Sequence, residues 1–517
     1  MSQDALFDDM TTATTATTNG AKQSPKGKQQ LSSTIKSVRD ILRTDAGLYG
    51  DTDRLPQLTW LLFLKFLDDH ELAQEDEWGD EYESVIAEPY RWRDWAAVAN
   101  VSQRLTGDEL LTFVNDSLLP YLRQLSGPTA RDIRTIVGAI FQGTYNRIRS
   151  GYILREVVDK LSAIDFNSSD DIHTVSLFYE TMLREMRDAA GDAGEFYTPR
   201  PVVRLIVDRL NPRLGETVLD PACGTGGFLV EAYEHMKGEA RDPAQRRTLQ
   251  DSIVGTEKKA TPYLLGIMNL LLHGIEQPNV SERNALLTNI RQIKDAERVD
   301  VIATNPPFGG AEEEGVLNNF PEGMRSQETA LLFFQYVMAM LKRPGGRCGI
   351  VLPNGFLFGG GVAAEIKKQL LQRFNLHTVV RLPNGVFAPY TSISTNLLFF
   401  DACAPGTDGP CTKEVWYYEQ PLPEGRKNYT KTGPLQFEEF EALRAWWDDR
   451  AENERAWRVP AQRIVDNGYN LDLKNPNAAD DLEHLPPEQL ADSILQKERR
   501  IAAIMAEIKQ ALAGVEP

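Results

Sequence analysis

The sequence predicts an α/β protein: an open, largely parallel sheet at its centre, an α-helical domain before it and a helical extension after it. Three observations carry this. The short run Val299–Thr304 has the character of a buried parallel strand and ends in Asn305-Pro306-Pro307-Phe308. Prolines cannot continue a central strand, so the chain must leave the sheet there in a fixed conformation. Upstream, Thr217–Leu229 reads as a strand, an acidic residue, a glycine-rich turn and the start of a helix. Before residue 170, by contrast, strand signals are almost absent and apolar residues recur at helical spacing.

At 517 residues the chain is long enough for two or three domains with real cores. A net charge of -18 argues against a protein that grips nucleic acid alone over a long surface, because phosphate contacts need clustered Lys and Arg. Any such contact is expected to be local or supplied by a partner. Cys223, Cys348, Cys403 and Cys411 show no metal-ligand spacing and predict no disulfide framework, as in a reducing cytosol. Cys223 is expected as a small packed residue. The six histidines are scattered, so no metal site is expected. No signal peptide is visible, and the longest apolar run, Ala330–Leu341, is too short and too polar to span a bilayer. These features predict a cytoplasmic protein with no membrane partner.

Residues 1–30, rich in Thr, Ala, Gln and Lys, predict a disordered tail. The helical domain is expected over 31–169. Ile35, Val38, Ile41 and Leu42 share one helical face, and Leu58–Leu67 is apolar nearly all round, as in a buried helix. Further helices are expected near Gly107–Leu125 and Ala130–Ile140, with Trp-rich loops around Trp78, Trp92 and Trp95. Arg147, Arg149 and Arg155 are the best basic candidates for any nucleic-acid contact, though a solvated charged face is the commoner explanation of such a run.

The sheet domain is expected over 170–415. A helix over Val175–Met186 leads to Glu195-Phe196-Tyr197-Thr198-Pro199-Arg200, whose prolines suit the first turn of a following helix. After the first strand, Asp220 can take the ammonium end of a zwitterionic amino acid. The turn Gly224-Thr225-Gly226-Gly227 lets backbone N–H groups approach its carboxylate. The spacing is Gly-x-Gly-Gly, which argues against a pyrophosphate cradle. A second strand, Asp251–Glu257, ends in a carboxylate that can accept both hydroxyls of a ribose; the charged insertion Lys237–Gln250 precedes it. A helix over Pro262–His273 returns to a third strand region, Ser281–Leu286, containing Asn284. The strand ending at Asn305 is the fourth, followed by an acidic loop, Gly309–Gln327, and a helix over Thr329–Leu341. Arg347–Pro353, Val379–Leu382 and Asn396–Phe400 read as further strands, with an antiparallel edge.

In an open α/β sheet, ligands bind at the carboxyl ends of the strands. There Asn305 would point its amide outward with Phe308 beside it. The Asn305 side-chain oxygen and the Pro306 carbonyl are two acceptors, since proline gives up its donor but keeps its acceptor. Two acceptors facing an aromatic amine favour a pyramidal nitrogen whose lone pair can attack. Pro307 stiffens the turn, and Phe308 offers a ring on which an unstacked base can rest.

This tetrapeptide resembles the catalytic motif of amino-group DNA methyltransferases, above all adenine-N6 enzymes; similar tetrapeptides occur in methyltransferases acting on RNA or protein glutamine. The stretch Glu195–Arg200 resembles the segment that, in this family, folds over the methionine end of S-adenosylmethionine. The resemblance therefore implies a Rossmann-like S-adenosylmethionine-dependent methyltransferase sheet. Cofactor contacts would come from Glu195, Phe196, Tyr197, Thr198, Pro199, Arg200, Asp220, Gly224, Thr225, Gly226, Gly227, Glu257 and Asn284, and catalysis from Asn305, Pro306, Pro307 and Phe308. The motif order and the helical N-terminal domain resemble the modification subunits of type I restriction-modification systems. That likeness implies methyl transfer to N6 of adenine in double-stranded DNA, with the sequence read by a separate specificity subunit. It also implies two modification subunits per specificity subunit and a restriction subunit able to join them.

Residues 416–487 are expected as an extension and linker, with a strand-like Val415–Tyr418 and a helical region at Phe437–Trp447. In 488–517, Leu490, Ile494, Ile501, Ile504, Ile508 and Ala511 mark a heptad-spaced seam interrupted by Lys497. A terminal helix reached through a linker, with a stripe it cannot bury alone, is expected to dock on a partner; packing on its own domain is the alternative.

Overall fold

The computed structural model describes residues 25–79, 82–129, 131–167, 175–176, 179–180, 183, 198–388, 393–406, 409–430, 432–477, 495, 498–502 and 504–505. The helical domain is built from α1 (Pro25–Leu42), α2 (Asp51–Trp78), α3 (Trp92–Trp95), α4 (Gly107–Thr112), α5 (Leu119–Arg123), α6 (Ile133–Gln142) and α7 (Gly151–Leu161). A π-helical turn, Phe113–Leu118, joins α4 to α5. Helix α1 starts inside the expected tail, at Pro25. Of the three tryptophans expected in loops, Trp78 ends α2, and Trp92 and Trp95 are buried in α3, edge to face at 5.3 Å. The indoles of this pair are too large to leave in water when a core adjoins them.

The sheet has nine strands: β1 (Val218–Asp220), β2 (Ile253–Glu257), β3 (Asn279–Glu282), β4 (Val301–Thr304), β5 (Arg347–Pro353), β6 (Phe374–Arg381), β7 (Thr395–Ala402), β8 (Glu414–Glu419) and β9 (Ala456–Pro460). Their order is β3-β2-β1-β4-β5-β7-β6-β8-β9. The first five pair in parallel, with Val218 opposite Ile253 on one side and Val301 on the other. The order reverses between β1 and β4, so a crevice must open outside their carboxyl ends. Strands β1 and β4 are buried throughout, as expected of parallel strands covered on both faces. One apolar cluster gathers α8 (Arg200–Leu210) and α9 (Gly227–Lys237) on the sheet. The other gathers α13 (Thr329–Met340) and α14 (Val362–Arg373). Between β1 and β4 the chain also forms α10 (Pro243–Ser252) and α11 (Ala260–Leu272); α12 (Glu314–Leu317) follows β4.

Several expectations need correcting. Asp251 and Ser252 end α10 and are not part of β2. The third strand starts earlier than expected and stops at Glu282, because Asn284 caps a 3₁₀ turn. Strand β7 is antiparallel but lies inside the sheet, between β5 and β6. The sheet also continues past residue 415. Val415, Tyr417 and Tyr418 of β8 are buried, and the strand pairs with β6 in parallel and with β9 antiparallel. Cys403 and Cys411, at the two ends of the β7–β8 connection, lie side by side with Cα atoms 6.4 Å apart, a proximity their spacing did not predict. Arg155 is buried, donates to the carbonyls of Trp95 and Ala96 and pairs with Asp159 at 2.7 Å. It is a structural residue, while Arg147 and Arg149 are exposed.

Helix α11 is buried from Pro262 to Leu272 because it serves two cores. Tyr263, Leu264, Leu265, Ile267, Met268, Leu271 and Leu272 pack with the helical domain, while Leu270 packs with the sheet. Of the C-terminal seam, only Ile501 and Ile504 fall among the described residues, both exposed, as are Leu495 and Met505. Leu490, Ile494, Lys497, Ile508 and Ala511 lie outside them. Among the described residues no helix is long and apolar enough to cross a membrane, and no cluster of His, Cys, Asp or Glu could hold a metal ion.

Candidate functional site

The crevice between β1 and β4 is walled by two adjoining clefts that share Ala222 and Asn305. One, of about 370 Å³, is lined by Thr198, Arg200, Asp220, Cys223, Gly224, Thr225, Gly227 and Phe228. The other, of about 530 Å³, is lined by Glu257, Lys258, Asn284, Pro307, Glu312 and Phe333 among others.

Asp220 ends β1 and is 2% exposed. Its Oδ1 accepts from Thr304 Oγ1 at 2.7 Å and Ala222 N at 3.1 Å. Burial pushes its carboxyl up to about 7, against those two hydrogen bonds. The glycine turn follows. Gly224 and Gly226 have φ of 52° and 77°, where a side chain would be strained, and Gly226 caps α9. Cys223 N donates to Thr256 O, Gly224 N to Glu257 Oε2 and Gly226 N to Cys223 O. Three of the turn's donors are therefore spent within the protein. The donors left toward the cleft are those of the first turn of α9, at Gly227 and Phe228. Cys223 is buried and its thiol is held neutral by burial, so it is the packed residue expected.

Glu257 ends β2, 8% exposed, and accepts from Gly224 N at 3.0 Å and Lys259 N at 2.8 Å. Burial raises its carboxyl above the usual range. Asn284 accepts from Leu286 N at 3.0 Å through its oxygen, while its amide donates to Glu312 Oε2 at 3.1 Å. Capping a turn and facing the cleft are thus both true of it.

Asn305 follows β4 directly. Its amide nitrogen is not directed outward: it donates to Thr198 Oγ1 at 3.0 Å, which fixes the side chain. Its Oδ1 is buried without a hydrogen-bond partner. An orphaned amide oxygen costs on the order of 1–3 kcal/mol, and this one borders both clefts. Phe308 stands edge to face with Phe387, centroids 5.8 Å apart. Arg200 lines the cleft but is committed: it donates to Gly227 O at 3.1 Å and pairs with Glu180 at 2.6 Å. Pro199 caps α8. Glu195, Phe196 and Tyr197 lie outside the described residues.

Residues 170–484 match the family described as N-6 DNA methylase. The chain belongs to this family. Residues 31–161 match the HsdM N-terminal domain. The type I restriction enzyme EcoEI methylase subunit of Escherichia coli is 49% identical over 470 residues, covering 89% of this chain and 93% of that one. The crystal structure of a modification subunit of a putative type I restriction enzyme from Vibrio vulnificus YJ016 is 53% identical, with a TM-score of 0.77 over 88% of this chain and 99% of the other. A structure solved for complex assembly and conformational transition of the type I R-M system gives 43% identity and a TM-score of 0.78, over 95% and 99% of the two chains. The chain is accordingly a methylase of the type I restriction-modification kind, adenine-specific and acting on DNA.

Two residues of this methylase's site had no clear sequence signal. Thr304 holds Asp220, which the strand register makes possible by setting Leu219 opposite Ile302. Glu312, in the acidic loop after the tetrapeptide, turns inward with its side chain 7% exposed, 3.2 Å from Lys258 and bonded to Asn284. Three anchors fold that loop back: Ala311 bridges Glu328, Glu312 N donates to Gln327 O, and Thr329 donates to Gly310 O. A string of acids in a loop does not say which one turns inward.

Proposed function

We propose that the crevice binds S-adenosylmethionine and presents a flipped adenine to it, with Asn305 and Pro306 activating the base. The observation that carries this reading is the buried, partnerless Asn305 Oδ1 held by Thr198 where the two clefts meet. The residues fit the cofactor's parts. Asp220 suits an ammonium group, and the first turn of α9 at Gly227 suits a carboxylate. Glu257 takes backbone donors on both oxygens and lines the cleft, where its remaining acceptor capacity suits ribose hydroxyls. Asn284 lies beside it for the adenine end, and Thr198, Thr225 and Arg200 shape the methionine end. Glu195, Phe196, Tyr197 and Pro199 belong to the cover expected over that end.

S-adenosylmethionine would supply an electrophilic methyl on a sulfonium, already a good leaving group, so no metal or covalent enzyme intermediate is needed. The protein's share is to raise the nucleophilicity of N6. In the free base its lone pair is conjugated into the ring. Asn305 Oδ1 and Pro306 O each accept one N–H, which favours the pyramidal nitrogen and frees the lone pair for in-line attack. Phe308 offsets part of the few kcal/mol lost on unstacking the base.

The chain's charge of -18 supports a division of labour in which a specificity subunit reads double-stranded DNA. Two copies of this chain would flank it, a restriction subunit could join, and all would act in the cytoplasm. The test is sequencing for N6-methyladenine in cells expressing this chain with and without the neighbouring specificity gene. Methylation at a two-part site only when both are present is expected. Methylation by this chain alone would overturn the division of labour, and none in either case would overturn the substrate.

A further inference from the structure

A second cavity, sharing no residue with the crevice, lies where the helical domain meets the sheet domain. Its volume is about 120 Å³. Its walls are apolar: Phe63, Phe66 and Leu67 of α2, Phe166, and Leu271 of α11. Apolar walls on this scale stay dry, or hold an organic ligand, in preference to scattered water.

The polar groups on these walls divide in two. Glu71 is spent, accepting from Tyr82 Oη at 3.2 Å, Ser84 Oγ at 2.9 Å and the backbone N–H of Val85. His70, stacked on Phe66, is kept neutral by burial. Two groups remain. Gln74 is 6% exposed and its Oε1 is buried without a partner. Glu276 uses its backbone N–H on Gln250 at 3.1 Å, but among the described residues its carboxylate has no hydrogen bond or ion pair. Both are acceptors, and among the described residues no Lys or Arg lines the cavity. The Gln74 oxygen is left uncompensated in an apolar wall, which is costly, while the Glu276 carboxylate beside the cavity is half-buried. A ligand that supplies donors removes the cost.

We propose that this cavity binds a small organic amine, its apolar ring or chain against α2 and α11 and its protonated nitrogen donating to Gln74 Oε1 and the Glu276 carboxylate. Burial holds the Glu276 carboxyl up at about 7, so it is largely protonated below neutrality and a bound cation draws it into the ionised form. Leu271 and Glu276 come from the sheet domain and the aromatic wall from the helical domain, so an occupant spans both. Helix α11 also reaches the crevice: its Asn269 Nδ2 donates to Thr225 O at 2.8 Å.

The test is calorimetric titration of the full chain at pH 7.5 with tryptamine and phenethylamine, set against their uncharged counterparts 3-ethylindole and ethylbenzene. Saturable binding of an amine at one site is expected, about tenfold or more tighter than its uncharged counterpart. Glu276→Gln should weaken the amine about tenfold and leave the uncharged compound unchanged. Gln74→Met carries the same expectation if the first variant does not fold. No saturable binding of either amine would overturn the proposal. So would equal affinity for the uncharged compounds, or undiminished amine binding in the folded variants.

Discussion

The two halves of the sheet treat buried polar groups in opposite ways. In the antiparallel half such groups are mostly answered by their own neighbourhood. Thr412 donates to Phe374 O at 2.6 Å and accepts from Leu376 N at 2.9 Å, and Tyr417 Oη reaches Leu471 O at 3.0 Å. Lys367, fully buried on α14, donates to two carbonyls at 2.7 and 2.8 Å. At the carboxyl edge of the parallel half, Asp220 and Glu257 are buried carboxylates pushed up by desolvation, and Asn305 Oδ1 has no partner. A lone orphan is not enough to mark a site. Trp457 Nε1 also lacks a partner, yet its ring is stacked on Tyr417 at 5.2 Å, inside packed core. What distinguishes the crevice is convergence: two carboxyls pushed up by burial and one orphaned amide oxygen, from the ends of three different strands, line adjoining clefts. Such a site holds stability in reserve for a ligand.

That contrast can be broken most sharply at Asn305. Asn305→Ala should lower methyl transfer by about a thousandfold or more. The melting temperature should hold, because the substitution removes an orphan along with the acceptor. Radiolabelled methyl transfer and thermal unfolding read the two quantities. Trp457→Ala should do the reverse, costing about 3–5 kcal/mol of stability in denaturant titration. Cofactor affinity measured on the folded fraction should not change. Equal loss of activity and stability in both variants would erase the distinction.

Asp220 sharpens it through pH. Its folded-state carboxyl is raised from 3.8 to about 7, so its contribution to stability is fully present below pH 3.8 and is lost as pH rises through 7. Asp220→Asn should therefore gain stability relative to wild type at pH 8 and lose the advantage near pH 4. An ammonium group binds the ionised form. Affinity for S-adenosylmethionine should then rise with pH up to about 7 and flatten above, a slope that Asp220→Asn abolishes. Calorimetry across pH 6 to 8 checks both signs. For Glu257→Ala, cofactor affinity should fall about ten- to a hundredfold, while Asn305→Ala stays within a few-fold of wild type. If affinity falls equally in both, the assigned roles are wrong.

The smallest effect lies in the helical domain. Arg149→Ala should weaken DNA binding by the assembled complex slightly and lower the salt slope by about one unit. Arg155→Ala should instead lower stability by about 2 kcal/mol, because its guanidinium is buried against two carbonyls and Asp159.

By itself, the sequence determined the class of fold and the order of the parallel strands' motifs, and it singled out Asp220, Glu257 and Asn305 as candidates that the fold brings to one crevice. Each of these depends on local chemistry. A proline pair ends a strand wherever it stands, and glycine at positive φ shapes a turn from within. Strand β5 was legible to the residue for the same reason. The tertiary structure alone decided the rest. That β7 lies inside the sheet and that β8 and β9 extend it depends on which buried edges find partners, a long-range matter no window of residues contains. Whether Arg155 faces solvent or two carbonyls, and whether Asn305 points outward or onto Thr198, depends on segments 60 and 107 residues away in sequence. The acceptors that remain unpaired at Asn305 and Gln74 could be found only after every potential donor had been placed in space.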